Sequence, residues 1–196
     1  MLRRLTGLIV VGILAIGALL AYSVNGGSPG LPTPFDAPAP APAGSAPAAP
    51  GLPAAPGSAS ETATVVRVVD GDTLVIDRGN GTERLRLIGV DTPETVQPDT
   101  PIECFGPESS AYLTDLLSGE VVRLDLDPGQ GDTDRYDRLL RYVWVASGDG
   151  AWASVEALLL SGGYAEPYRD AHERKAGFDA LAAEAQANGR GLWGAC

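Results

Sequence analysis

The sequence predicts a mainly β fold with helices, an α+β domain built as a five-stranded barrel of the OB type with three helices, preceded by an apolar helix and a disordered linker. Three observations carry that expectation. The region after residue 60 reads mostly strand first and helix later, its β-branched runs are separated by glycine and aspartate turns, and its helical periodicities sit at the ends of the strands. Nothing before residue 61 has the alternation of a strand or the one-sided pattern of a soluble helix.

Leu5 to Tyr22 form an almost unbroken apolar run behind Arg3 and Arg4. It is long enough for a signal-peptide core and just long enough to span a bilayer, and it is apolar on every face, unlike the amphipathic helix of a soluble core. Ala21-Tyr22-Ser23 offers small residues for cleavage, but the run is longer than most signal cores. Residues 1–24 therefore read as a signal peptide or a membrane anchor, with the length favouring the anchor. Either predicts an extracytoplasmic domain, secreted or membrane-anchored. Residues 25–60 are Pro, Ala, Gly and Ser with one charge, Asp36, and cannot bury enough apolar surface to offset the entropy of ordering. They read as a disordered linker, extended by its prolines.

The folded unit is expected over residues 61–196, an ordinary size for one domain. Residues 64–69 and 73–78 are β-branched runs on either side of an Asp-Gly-Asp turn, and Gly79-Asn80-Gly81 supplies a hairpin loop into residues 82–90. Pro107 suits a first helical turn and Gly119 a helix end, with Leu113, Leu116 and Leu117 sharing one face between them. Strands follow at residues 121–126 and 139–145. Val155, Leu158 and Leu159 mark a second helix closed by Gly162-Gly163, and a third spans residues 171–187 with Phe178, Leu181 and Ala185 inward and Asn188-Gly189 as its stop.

Elimination narrows the chemistry. His172 is the only histidine, which removes Ser-His-Asp triads and histidine zinc sites, and it reads as a solvated residue near a helix start. Lys175 is the only lysine and no Gly-x-x-x-x-Gly-Lys-Ser/Thr loop occurs, which removes phosphate-loop motors and Schiff-base chemistry. Carboxylate, arginine, tyrosine and metal chemistry remain. Asp70-Gly71-Asp72-Thr73, Arg86, Asp91-Thr92-Pro93-Glu94 and Asp134-Arg135-Tyr136-Asp137-Arg138 gather hard oxygen donors, suited to calcium or magnesium, beside guanidinium forks that match phosphate oxygens. Strand parity adds a geometric condition: residues 86 and 91 would face opposite sides of a regular strand, so sharing a site requires a bend, and Gly89 is the expected place.

Those motifs, with Phe105-Gly106-Pro107-Glu108 and the closing Gly191-Leu192-Trp193, stand in the order and spacing of the staphylococcal nuclease (thermonuclease) family, which the chain resembles over residues 62–194. The resemblance implies that Asp72, Asp91 and the backbone carbonyl of Thr92 ligate one calcium ion, with Asp70 standing just behind them. It implies that Glu94 orients or deprotonates the attacking water and that Arg86 and Arg138 grip the scissile phosphate. It further implies in-line attack with the 5′ oxygen leaving, so that DNA and RNA both yield 3′-phosphate ends. Tyr136 and Tyr168 would border the nucleotide, although the segment between Tyr168 and the last helix is shorter here than the family's. A module that binds nucleic acid or a protein without cutting is the alternative class, but such a module need not keep both acidic ligands, the glutamate and both arginines.

The charge balance is unusual for a nucleic-acid enzyme. Without Asp36, Arg3 and Arg4, the chain's 25 acidic and 14 basic residues leave 24 and 12 in the domain, a net −12. Long-range repulsion of polyanions follows, so binding is expected to be weak, metal-dependent and directed at short or single-stranded nucleic acid. Asp125, Asp127, Asp132 and Asp134 read as a solvated acidic loop, with binding of additional cations as the alternative. An even cysteine count in an exported chain predicts a disulfide between Cys104 and Cys196, and a monomer is expected.

Overall fold

The structure, a computed structural model, describes residues 56–57, 60–95, 101–148 and 150–196. The expected signal or anchor segment and nearly all of the expected linker lie outside the described residues. Among those described, no helix is long and apolar enough to cross a membrane.

The first strand, β1 (Glu61–Val68), pairs antiparallel with β2 (Thr73–Asp77), and β2 with β3 (Thr82–Leu87). The β1–β2 register shifts between Val65 and Arg67, a bulge that turns Val66 outward and lets the strand curl. Gly79 and Gly81 take φ of 95° and 113° in the β2–β3 loop, and their N–H groups donate to Asp77 Oδ1. After α1 (Gly106–Leu117), β5 (Val121–Asp125) pairs with β1 and with β6 (Leu139–Ala146); the two-residue β4 (Val90–Asp91) precedes the helix. Parallel pairing of β3 with β6, Leu85 opposite Leu139 and Leu87 opposite Arg141, closes β1, β2, β3, β6 and β5 into the five-stranded barrel. This is the OB-type α+β architecture that the sequence predicts.

Apolar side chains from every barrel strand fill the interior, among them Val65, Leu74, Ile76, Leu85, Val122, Leu124 and Val143, all at most 1 % exposed. Each contributes roughly 1.5–3 kcal/mol by leaving water. Leu113 and Leu117 of α1 join this core, whereas Leu116 stays at its edge. A short β7 (Trp152–Ser154) extends the sheet beside β6 and leads into α2 (Val155–Gly162), capped by the Ser154 hydroxyl, which accepts the Ala157 N–H, and ended by Gly163 at φ 73°. β8 (Glu166–Pro167) pairs with β4, then α3 (Lys175–Ala187) buries Phe178, Leu181 and Ala185, and a one-turn α4 (Leu192–Ala195) ends the fold.

Three expectations are corrected. The third helix starts at Lys175 rather than residue 171: residues 172–175 close a turn of their own, with the Lys175 N–H on the His172 carbonyl, and the N–H of Glu173 donates to Asp127 Oδ2 across to the barrel. Asp125 and Asp127 are not a solvated loop. Asp127 is 3 % exposed and accepts from Tyr142 Oη at 2.6 Å, while Asp125 accepts from Trp144 Nε1, Arg174 and the N–H of Gly57. Those bonds outweigh the effect of burial and hold both carboxyls below the usual range. His172, expected in solvent, is half-buried with Nδ1 3.0 Å from Tyr142 Oη, and burial lowers its pKa.

Candidate active site

The site starts in the turn between β1 and β2. Asp70 Oδ1 accepts the Asp72 N–H at 3.1 Å, which fixes the turn, and the Asp72 carboxylate points inward at 7 % exposure. Its Oδ1 accepts the Thr73 hydroxyl, and its Oδ2 accepts both the N–H and the hydroxyl of Thr92, at 3.0 and 3.1 Å. A Cβ on Gly71 would stand 2.6 Å from Thr92 Oγ1, so the turn approaches that loop only as glycine.

β3 brings Arg86 opposite Thr73, and the chain then bends where parity requires it. Gly89 has φ 82°, separates β3 from β4, and accepts the Tyr168 N–H on its carbonyl. A Cβ there would lie 2.6 Å from His172 Cε1 and 2.8 Å from Phe178, so both the dihedral and the space select glycine. The bend returns Asp91 to the face of Arg86, whose Nη2 donates to Asp91 Oδ1 at 2.9 Å and whose Nη1 forms an ion pair with Asp72. Burial lowers the Arg86 pKa, opposed by Asp91, and burial raises that of Asp70, opposed by the Thr73 hydrogen bond.

Arg138 arrives from a separate turn. Asp134 Oδ1 accepts the N–H of Tyr136 and of Arg138, while Oδ2 accepts Arg138 Nε at 2.7 Å and pairs with Nη2 at 2.6 Å. These bonds outweigh burial and hold Asp134 low, and they leave Arg138 Nη1 3.5 Å from Thr73 Oγ1. Asp137 takes φ 57° to complete the turn. Spacing alone had not singled out Asp134 or Thr73 as the groups that aim this guanidinium; the acceptor four residues before Arg138 was the available signal.

One cleft of about 190 Å³ gathers Asp70, Asp72, Arg86, Asp91, Thr92, Glu94 and Arg138, with Pro93 on its wall. Tyr136 and Tyr168 are not among its lining residues. Tyr136 is 61 % exposed with Arg138 over its ring at 5.3 Å, and Tyr168 is partly exposed beside the Gly89 bend. Among the described residues no cluster of three or more His, Cys, Asp or Glu side chains has metal-binding geometry. The donors that fit a hard cation are two carboxylates, Asp72 and Asp91, and the Thr92 carbonyl; both carboxylates here share the single charge of Arg86.

A closed OB-type barrel with acidic and arginine side chains converging on one cleft has the makings of a metal-assisted phosphate site. Residues 84–195 match the family described as staphylococcal nuclease homologue, and the chain belongs to that family. It is similar to the thermonuclease of Staphylococcus hyicus, 46% identical over 85 residues that cover 43% of this chain and 49% of that protein. Thermonuclease of Staphylococcus intermedius is 47% identical over 85 residues with the same shares, 43% and 49%. Endonuclease YncB of Bacillus subtilis (strain 168) is 35% identical over 102 residues, covering 52% of this chain and 46% of that protein. The chain thus spans about half the length of these curated relatives.

Proposed function

We propose that the chain is a calcium-dependent nuclease that hydrolyses phosphodiester bonds of DNA and RNA by in-line attack of water, leaving 3′-phosphate ends. The observation that carries this reading is the convergence of Asp72, Asp91, Glu94, Arg86 and Arg138 on one cleft from strand β3 and the segments around it. Relatives named thermonuclease and endonuclease support it.

When held by Asp72, Asp91 and the Thr92 carbonyl, the cation supplies positive charge that acidifies water and offsets the charge of the phosphate. Glu94 takes the proton of the attacking water, the water oxygen bonds to phosphorus, and the bond to the 5′ oxygen breaks, that oxygen leaving as a hydroxyl with a proton from solvent. Arg86 turns from its carboxylate partners to the phosphate oxygens, and Arg138, held through Nε and Nη2 by Asp134, presents its remaining nitrogen to the charge that grows in the transition state. Tyr136 and Tyr168 border the nucleotide from outside the cleft. The net charge of −12 over residues 61–196 makes short or single-stranded substrate and a metal-dependent affinity the consistent choice. The protein acts outside the cytoplasm as a monomer, secreted or held to the membrane by its N-terminal segment.

The test is cleavage of DNA and RNA by the purified chain with calcium, with other divalent metals and with chelator. Cleavage that chelator abolishes and calcium restores, with 3′-phosphate termini, is the expected result. Absence of cleavage with every divalent metal refutes the enzyme and leaves the non-cutting binding module.

A further inference from the structure

Glu94 is a short-loop residue, and its placement depends on a segment that the proposed chemistry does not use. Its N–H donates to Glu103 Oε2 at 2.8 Å, and the Glu103 N–H donates back to the Glu94 carbonyl at 2.9 Å. The next residues fit around the same backbone. Phe105 takes φ 67° and delivers Gly106 so close that a Cβ there would stand 2.6 Å from Thr95 Cγ2 and 3.2 Å from the Glu94 carbonyl oxygen. Between Glu103 and Phe105 lies Cys104, joined to Cys196 across 92 residues of chain. The far end of that bond is fixed: the Cys196 N–H donates to the Leu192 carbonyl, Leu192 is buried, and its own N–H donates to the carbonyl of Gly163. Both cysteines and Glu103 are exposed; the disulfide, the paired hydrogen bonds, the Gly106 N–H on the Glu103 carbonyl and the Thr95 N–H on Glu94 Oε1 tie this stretch together. From Phe105 on, α1 is secured separately, through the Phe105 ring at 5.7 Å from Tyr164 and the Ser109 hydroxyl on the Tyr164 carbonyl.

We infer that Glu103 is a positioning residue for Glu94, and that the Cys104–Cys196 disulfide stiffens the segment that carries it. The inference rests on the reading of Glu94 as the base that activates water. A carboxylate with three rotatable bonds delivers a proton-accepting oxygen accurately only when its backbone is fixed, and misplacement by about 1 Å costs up to about a hundredfold in rate. Reciprocal bonds between Glu94 and Glu103 supply that fixation where no regular element does.

The experiment compares the oxidised chain, the chain reduced by a phosphine, Glu103→Ala and Glu103→Gln, all at a temperature where circular dichroism shows each folded. The phosphine step consumes one water and yields two thiols and the phosphine oxide. Amide hydrogen exchange at Glu94 and Thr95 is read together with kcat and KM. Expected are exchange about tenfold faster at these amides in Glu103→Ala and in the reduced chain, unchanged exchange in β1 and β6, and kcat lowered about tenfold at unchanged KM. Glu103→Gln, which keeps an oxygen acceptor, restores both. Unaltered exchange in Glu103→Ala overturns the inference, as does faster exchange with unaltered kcat. An inactive oxidised parent refutes the nuclease reading itself, whereas an active parent with unaltered variants refutes the role of Glu103 alone.

Discussion

Replacing Gly89 by alanine tests whether the bend between β3 and β4 builds the site. The residue has φ 82°, which costs an L-amino acid about 1–2 kcal/mol. Its new methyl would stand 2.6 Å from His172 Cε1 and 2.8 Å from Phe178 Cδ2, and overpacking of that kind costs about 1–3 kcal/mol. Together these predict a loss of about 2–5 kcal/mol, a large share of the roughly 5–15 kcal/mol that a domain possesses. For a domain of this size the midpoint should fall by roughly 3–5 °C per kcal/mol. Thermal unfolding followed by circular dichroism measures that change, and cleavage kinetics at a temperature where the variant is folded should show kcat at least about tenfold lower, because Asp91 and Glu94 follow the bend. Removing the obstructing ring in Gly89→Ala/His172→Ala should recover about 1 kcal/mol of coupling, but not the dihedral cost. A loss below 1 kcal/mol, or full activity in a destabilised variant, refutes the reasoning.

Other consequences concern the charges. Arg138→Ala should lower turnover about 10²–10³-fold with an unchanged far-UV spectrum, since the role proposed for Arg138 is charge stabilisation rather than packing; turnover within threefold of the parent's would reassign it. Arg86→Gln frees the Asp72 and Asp91 carboxylates, so calcium should raise its melting temperature more than it raises the parent's, and equal shifts would show that Arg86 does not occupy the cation's ligands. Glu156 is fully buried, accepting the Val143 N–H at 2.7 Å and the Ser154 hydroxyl, and burial pushes its pKa from 4.5 up to about 7. The folded state therefore keeps a proton that the unfolded chain releases: this stabilisation is whole below about pH 4.5 and is lost as pH rises to about 7, by about 3 kcal/mol at most. Glu156→Gln mimics the protonated form and should remove that slope from the pH dependence of stability. A parent and variant with parallel pH profiles would contradict the assignment.

Much of the site was legible because its parts are local. The Asp70-to-Thr73 turn, the Asp134-to-Arg138 turn and the strand that must bend at Gly89 are each set by neighbours within a few residues. What escaped the sequence depends on partners far along the chain. The acidic character of Asp125 and Asp127 suggested solvent, yet Trp144, Tyr142 and Arg174 supply donors that hold both carboxylates near the start of α3. Asp127 also accepts the Glu173 N–H, so the chain ahead of α3 is tied to the barrel by a partner 46 residues away. Glu103 belongs to none of the sequence motifs, yet it accepts the Glu94 N–H.

Alternation, turn residues and apolar faces by themselves determined the order of the five barrel strands and the three longer helices, the glycine break and the identity of the charged groups, because each is a short-range property of backbone sterics and burial; β7, β8 and α4 escaped them. Only the tertiary structure decided how these parts meet. The parallel contact of β3 with β6 closes the barrel, the β4–β8 pair seats the bent segment, and Arg86 comes to bridge Asp72 and Asp91. Those contacts join residues whose mutual distance is set by packing of the whole core, a long-range quantity that no local pattern encodes.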